Sequence, residues 1–230
     1  AAHELRSPLA TIRGELQLAL RRERSAAEYR TAIEQALGDV EALAAVAEEL
    51  LVLARTQAKP EGARPDELVS PAEVARDTLH LVQGAATDRG VSVRLHLGEG
   101  TEERCLSGSP SELARALRNL VDNAVTRTRA GGAVDLWVTR EGARVGLAVE
   151  DEGRGVPPEE RGSIFEPFFR GSKDQGEAAS GAGLGLTIAR EIARNHGGDV
   201  SLDTSYARGA RFVVWLPSVP KTSASEGSGV

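Results

Sequence analysis

The chain has 230 residues, with 28 Lys and Arg against 34 Asp and Glu, for a formal net charge of −6. That balance offers no basic stripe to neutralise phosphates, and an aromatic content of 3% leaves little on which bases would stack, so nucleic acid is excluded as a partner. The single cysteine, Cys105, excludes an internal disulfide framework and a cysteine zinc site, and no stretch is apolar enough to span a bilayer.

Residues 1–22 read as one amphipathic helix. At about 100° per residue, Leu5, Leu9, Ile12, Leu16 and Ala19 fall in one stripe whose spacing alternates four and three, the seam of a helical bundle. His3 lies on the face opposite that stripe, with Glu4 beside it and Ser7 one turn on. Pro8 then removes a backbone donor and is expected to bend the helix. Taken alone, such a histidine reads as a solvated residue on a polar helix face. The chain holds no methionine and opens just before His3, so it reads as an excised fragment with any sensor or membrane segment upstream.

Ser25 is placed to cap a second helix, whose apolar positions are Ile33, Leu37, Val40, Leu43 or Ala44, Ala47, Leu50 or Leu51, and Ala54. Two long helices with a short connection pack antiparallel, and a lone hairpin buries too little surface. Residues 1–58 are therefore expected to dimerise into a four-helix bundle. Residues 59–66 are a linker by composition.

A mixed pattern of helix and strand fills 67–217. Ser70-Pro71 starts a helix to about Asp88, and Val91, Val93, Leu95 and Leu97 alternate as a strand. Ser109-Pro110-Ser111-Glu112 spells a capping box opening a helix to about Arg129. Strands are expected at 133–140 and 144–150, a loop-rich stretch at 151–183, a helix to His196, and closing strands at 199–205 and 210–216. The Ser- and Gly-rich stretch 218–230 reads as a disordered tail.

Within the capped helix, Leu113, Leu117, Leu120, Val121 and Ala124 make an apolar stripe, with Arg115, Asn119, Asn123 and Thr126 on the other side. Two carboxamides one turn apart present hard neutral oxygens to Mg²⁺ without adding charge beside a triphosphate. Asp151-Glu-Gly153-Arg-Gly155 follows an alternating strand. I-F-E-P-F-F-R, residues 164–170, and a polar stretch at 171–180 come next. Gly181-Ala-Gly183-Leu184-Gly185 opens a helix whose freed amides and dipole suit phosphate; it lacks the Gly-Lys-Ser/Thr of a P-loop.

H-E-L-R-S-P-L around His3 resembles the phosphoacceptor box of bacterial sensor histidine kinases. N-L-V-D-N-A resembles the N box of the ATPase domain shared by histidine kinases, gyrase and Hsp90. The two glycine segments and I-F-E-P-F-F-R are similar to that family's first glycine box, second glycine box and F box, in the family's order. The resemblance implies a dimerising helical hairpin followed by an α/β-sandwich ATP-binding domain of the Bergerat type. It implies ATP and Mg²⁺ as ligands, with Asn123 on the cation and Asn119 beside the phosphates. It implies Asp151 on the adenine amino group, Gly153 and Gly155 close to the base, Phe165 in the F box, and Gly181, Gly183, Leu184 and Gly185 around phosphate. Thr126 stands where the family often has lysine, so Arg127 or Arg170 is expected to supply that phosphate contact. Ala210 stands where threonine is usual.

The implied activity is ATP-dependent phosphorylation of His3, assisted by Glu4, then transfer to an aspartate of a response regulator; Ser7 resembles the position that helps water dephosphorylate the regulator. The implied setting is the cytoplasmic portion of a membrane-anchored bacterial homodimer. Two other readings stay open: a nucleotide-binding scaffold with weak or no kinase activity, and an ATPase or serine kinase of the same superfamily.

Overall fold

Ser25 and Glu28 fix where the second helix begins. The Glu28 N–H donates to Ser25 Oγ at 3.2 Å, and the Ser25 N–H donates to Glu28 Oε2 at 2.8 Å. These reciprocal bonds satisfy donors that a helix start leaves open. The computed structural model describes residues 2–21, 23, 25–58, 67–171 and 182–221. It divides into two compact units between Val52 and Leu53.

The first unit holds α1 (Ala2–Leu20) and most of α2 (Ala26–Gln57). Ile12, Ala19 and Ala36 are buried there, while Leu9 is 52% exposed and Ile33 61%. Leu16, Leu37 and Val40 are exposed as well. The expected apolar seam is thus half covered within one chain.

The second unit starts earlier than residue 67, where composition places the domain border. Leu53 and Thr56, in the last turns of α2, are buried, and Asn195 Nδ2 donates to the Thr56 carbonyl at 2.7 Å. Linker residues 59–66 lie outside the described residues. The elements that follow are β1 (Leu68–Val69), α3 (Pro71–Asp88), β2 (Ser92–Leu97), β3 (Arg104–Ser107), α4 (Pro110–Arg127), β4 (Ala133–Glu141), β5 (Arg144–Asp151), α5 (Gly185–Asn195), β6 (Asp199–Leu202) and β7 (Arg211–Pro220).

The sheet runs β1-β3-β7-β5-β4-β2. One edge of β7 pairs with β5, and the other takes β6 and then β3. Among the described residues only β2 and β4 are parallel, in the register Val93↔Val134 and Leu95↔Leu136. Alternation on β4 is clean: Val134, Leu136 and Val138 are fully buried, while Asp135, Trp137 and Thr139 are half-buried on the other face. The buried face meets α4, which packs between α3 and α5 and presses Leu113, Leu117, Leu120 and Val121 into the core. Burying each such leucine contributes about 1.5–3 kcal/mol. This packing fixes the rotation of α4 and therefore where its asparagine face points.

Two expectations are corrected. Ser109 does sit at the start of α4, but its side chain makes no capping bond. Its hydroxyl pairs with Ser111 Oγ at 3.0 Å, and its N–H donates to His196 Nε2 at 3.2 Å. The Glu112 carboxylate lies 3.8 Å from the same nitrogen. A tertiary partner has replaced the local box. Secondly, the last strand does not end at 216: Ser218 is buried, lies opposite Leu106, and its N–H donates to the Ala143 carbonyl at 2.8 Å. Residues 218–220 belong to the sheet, and 222–230 lie outside the described residues.

Candidate nucleotide site

The site is built on the half-buried face of α4, where Asn119, Asn123 and Arg127 follow one another at successive turns. Asn119 Nδ2 donates to the Gly185 carbonyl at 3.2 Å, joining this face to the start of α5. Arg127 Nε donates to Asn123 Oδ1 at 3.0 Å. The Arg127 carbonyl lies 2.9 Å from where a Cβ on Gly153 would stand, so the lower end of the same face meets the loop after β5.

Asp151 ends β5 and is only 2% exposed. Its Oδ1 accepts from the Gly153 N–H at 2.8 Å and the Ala210 N–H at 3.0 Å. Oδ2 takes neither of these bonds. Burial pushes the Asp151 carboxyl above its ordinary value, partly offset by the two N–H donors and the charge of Arg127. Gly155 has φ +71°, and a Cβ there would stand 2.8 Å from the Gly209 carbonyl. Backbone from two loops therefore closes around the carboxylate with no side chains between.

Across the site, Gly183 has φ +73°, and a Cβ there would lie 2.7 Å from the Phe169 carbonyl. Its own carbonyl accepts from the Phe168 N–H at 3.1 Å, and Phe168 itself holds φ 64°. This bond and the two left-handed torsions join the backbone at Phe168 to that at Gly183. Leu184 is fully buried at the start of α5 and has no side-chain cap to offer, so the first N–H groups of that helix suit an anion. The expected helix start at Gly183 moves to Gly185 because Gly183 is left-handed.

Phe165 is held from three sides. Thr187 Oγ1 donates to its carbonyl at 3.0 Å, the Arg190 guanidinium stands 4.8 Å over its ring, and the Phe212 ring meets it edge-on at 6.2 Å. Arg190 is oriented by a two-pronged bond to Asp199, at 2.8 and 3.1 Å. Burial works against the Asp199 charge, but the Arg190 bond and the Val200 N–H outweigh it and hold that carboxyl below its ordinary value. Arg170 is exposed just beyond this turn.

The structure thus brings together Asn119, Asn123, Arg127, Asp151, Gly153, Gly155, Gly183 and Gly185. Gly181 lies outside the described residues. His3, Glu4 and Ser7 lie on α1, and nothing of their side chains falls within the described residues. Thr187, Arg190, His196 and Gly209 support the site without being singled out by the motifs. Only Gly209 carried a signal, a glycine just before the buried Ala210. His196 is the least legible. Its Nδ1 contacts the Ile192 carbonyl at 2.8 Å, and its Nε2 faces the Ser109 N–H. The ring thereby ties the end of α5 to the start of α4.

The donor set fits a magnesium nucleotide. Two neutral carboxamides suit a hard cation beside phosphates, and a buried carboxylate with an uncommitted oxygen suits an amino group. Among the described residues, no cluster of His, Cys, Asp and Glu forms a metal site by itself. No helix among the described residues is long and apolar enough to cross a membrane.

Residues 1–59 match the family described as the His Kinase A (phospho-acceptor) domain, and residues 108–220 match the Histidine kinase-, DNA gyrase B-, and HSP90-like ATPase. Sensor histidine kinase RppB of Synechocystis sp. is 32% identical over 228 residues, covering 96% of this chain and 48% of that protein. The chain thus spans about half the length of the curated relatives it matches. Full-length ShkA in complex with AMPPNP has a TM-score of 0.70 at 26% identity, over 96% of this chain and 45% of that one. Histidine kinase ThkA in complex with response regulator protein TrrA has a TM-score of 0.74 at 21% identity, over 96% of this chain and 61% of that one, a likeness of fold. With hairpin and ATPase domain matched in this order in one chain, the protein belongs to the two-component sensor histidine kinases and carries their catalytic core.

Proposed function

We propose that the chain phosphorylates His3 from ATP and passes the phosphoryl group to an aspartate of a response regulator. The observation that carries this reading is that Asn119 and Asn123 share one face of α4 whose lower end, at Arg127, meets the Gly153 loop beside Asp151, in a chain whose first helix bears H-E-L-R-S.

Asp151 would take the adenine amino group, and the amides at the start of α5 the phosphates. Asn123, with Asn119 beside it, would hold Mg²⁺, which supplies neutralisation of phosphate charge. A bare ring nitrogen of His3 attacks the γ-phosphorus in line, a nitrogen–phosphorus bond forms, and the bond to the leaving ADP oxygen breaks. Glu4 orients the imidazole and takes the proton from its other nitrogen. Catalysis is then mostly positioning and charge neutralisation. The exposed apolar residues of α1 and α2 support a homodimer, and the regulator would dock on the same hairpin below His3. The AMPPNP in the ShkA complex and the regulator in the ThkA complex support a nucleotide and a receiver domain as partners. Ser7 is assigned to positioning water for dephosphorylation of the regulator. The core is placed in the cytoplasm of a bacterium, with the membrane reached through a further segment of the protein.

The test is incubation with γ-labelled ATP and Mg²⁺, beside His3→Ala, followed by acid and alkali treatment. Label that depends on His3, survives alkali and is lost in acid is expected. Label kept by His3→Ala, or stable to acid, overturns the reading in favour of a serine kinase. Tight nucleotide binding without label from either protein favours the scaffold.

A further inference from the structure

We propose that Arg127 is a gate on the cation ligand: its bond to Asn123 Oδ1 must break for Mg²⁺ to enter, which makes nucleotide and cation binding interdependent. The inference rests on the reading of this cleft as a magnesium nucleotide site.

Arg127 lies one turn past Asn123 in the last turn of α4, so helix geometry alone stacks the two side chains. The bond is 3.0 Å long and falls on the carboxamide oxygen, the one atom of Asn123 that a hard cation would use. That oxygen has a second lone pair, but the guanidinium would then stand beside a dication. The two positive charges exclude each other from one acceptor. Arg127 is held in place from behind. It sits at the negative end of the α4 dipole, its charge acts on Asp151, and its carbonyl and Cβ lie against the Gly153 backbone. The same side chain therefore bonds the oxygen assigned to the cation while its charge acts on the carboxylate assigned to the base.

A triphosphate changes the balance. It offers the guanidinium an anion with several acceptor oxygens, a stronger partner than a neutral carboxamide. Arg127 moves to the phosphates, Asn123 Oδ1 is vacated, and the cation enters a site whose charge the nucleotide has already inverted. Thr126, one residue earlier, has no cation to serve that role. Without nucleotide the gate stays shut. The coupling is reciprocal, so cation at Asn123 also drives Arg127 toward the phosphates.

The experiment is calorimetric titration of the full chain with AMPPNP, in chelator and across a series of free Mg²⁺ concentrations. It compares wild type with Arg127→Ala and Arg127→Gln. The free Mg²⁺ giving half its full effect on nucleotide affinity is expected to fall about three- to tenfold in Arg127→Ala. Arg127→Gln keeps a donor for Asn123 without the charge and is expected to fall between Arg127→Ala and wild type. In chelator both variants are expected to bind the analogue about tenfold more weakly, having lost a charged partner for phosphate. An unchanged or higher Mg²⁺ midpoint in Arg127→Ala overturns the gate. Loss of packing alone would weaken both conditions equally and leave the midpoint in place. Wild type that does not bind AMPPNP with Mg²⁺ overturns the nucleotide reading instead, so the two failures are separable. Thermal melts followed by circular dichroism confirm that each variant is folded, and Arg127→Gln alone decides the matter if Arg127→Ala is not.

Discussion

The carboxylate of Asp151 accepts the backbone N–H of Ala210 at 3.0 Å, joining the end of β5 to the start of β7. Ala210 occupies a position where a threonine would be expected, yet the bond is made by the main chain. It survives the loss of the hydroxyl. The same oxygen takes the Gly153 N–H, and Oδ2 takes part in neither bond.

Asp151 gives the first prediction, a pH dependence. Its carboxyl is held above the ordinary value by burial, with the Ala210 and Gly153 donors and Arg127 opposing. Folding therefore favours the protonated form. The stability this gives is present at low pH and is lost as pH rises through the raised value. Nucleotide affinity runs the other way, because only the carboxylate accepts from the adenine amino group at full strength. Affinity for AMPPNP is expected to fall as pH drops from neutral through that raised value. Asp151→Asn is expected to weaken binding by about 1–3 kcal/mol and to flatten the pH profile. A profile of unchanged shape in the variant would remove Asp151 from the site.

Gly183 is the second. Its φ of +73° and the 2.7 Å approach of the Phe169 carbonyl leave no room for a methyl group. Gly183→Ala is expected to cost roughly 1–3 kcal/mol in urea unfolding and to weaken nucleotide binding beyond that. Alanine at Gly162, which faces open space, is the control and is expected to bind as wild type.

His196 and Gly108 form a coupled pair. A Cβ at Gly108 would overlap the imidazole, which already holds the Ser109 N–H and the Ile192 carbonyl. Each single change, Gly108→Ala or His196→Ala, is expected to cost about 1–3 kcal/mol. Together they are expected to cost less than their sum, since the new methyl enters space the ring has left. Strict additivity in chemical denaturation would show that the two do not share that space.

Arg190 and Asp199 are part-exposed, so their pair is expected to contribute no more than about 1 kcal/mol. The Asp199 carboxyl is held below its ordinary value, so this contribution is present above the ordinary value and is lost as pH falls through the lowered one. Thermal stability of Asp199→Asn is thus expected to trail wild type slightly at neutral pH and to converge with it in acid. Arg190→Leu is expected to lower nucleotide affinity as well, because the guanidinium also lies over Phe165.

Much of the architecture is carried by local patterns. The seam spacing of α1 and α2, the Ser25–Glu28 cap and the alternation of β4 and β5 depend on neighbours a few residues apart, so periodicity reveals them. Asn119 and Asn123 are legible for the same reason, since one helix face is a property of sequence spacing, whereas Arg127 came only from the resemblance, as an alternative to Arg170. Sequence determined which residue types are available and which face of α4 carries them. Tertiary structure decided what they meet: Ser109 exchanged its local cap for His196, residues 218–220 joined the sheet opposite β3, and Asp151 found its second donor in a loop 59 residues away. Those partners are distant in the chain, and no periodicity encodes a contact that only the packing of α4 between α3 and α5 against the sheet brings into reach.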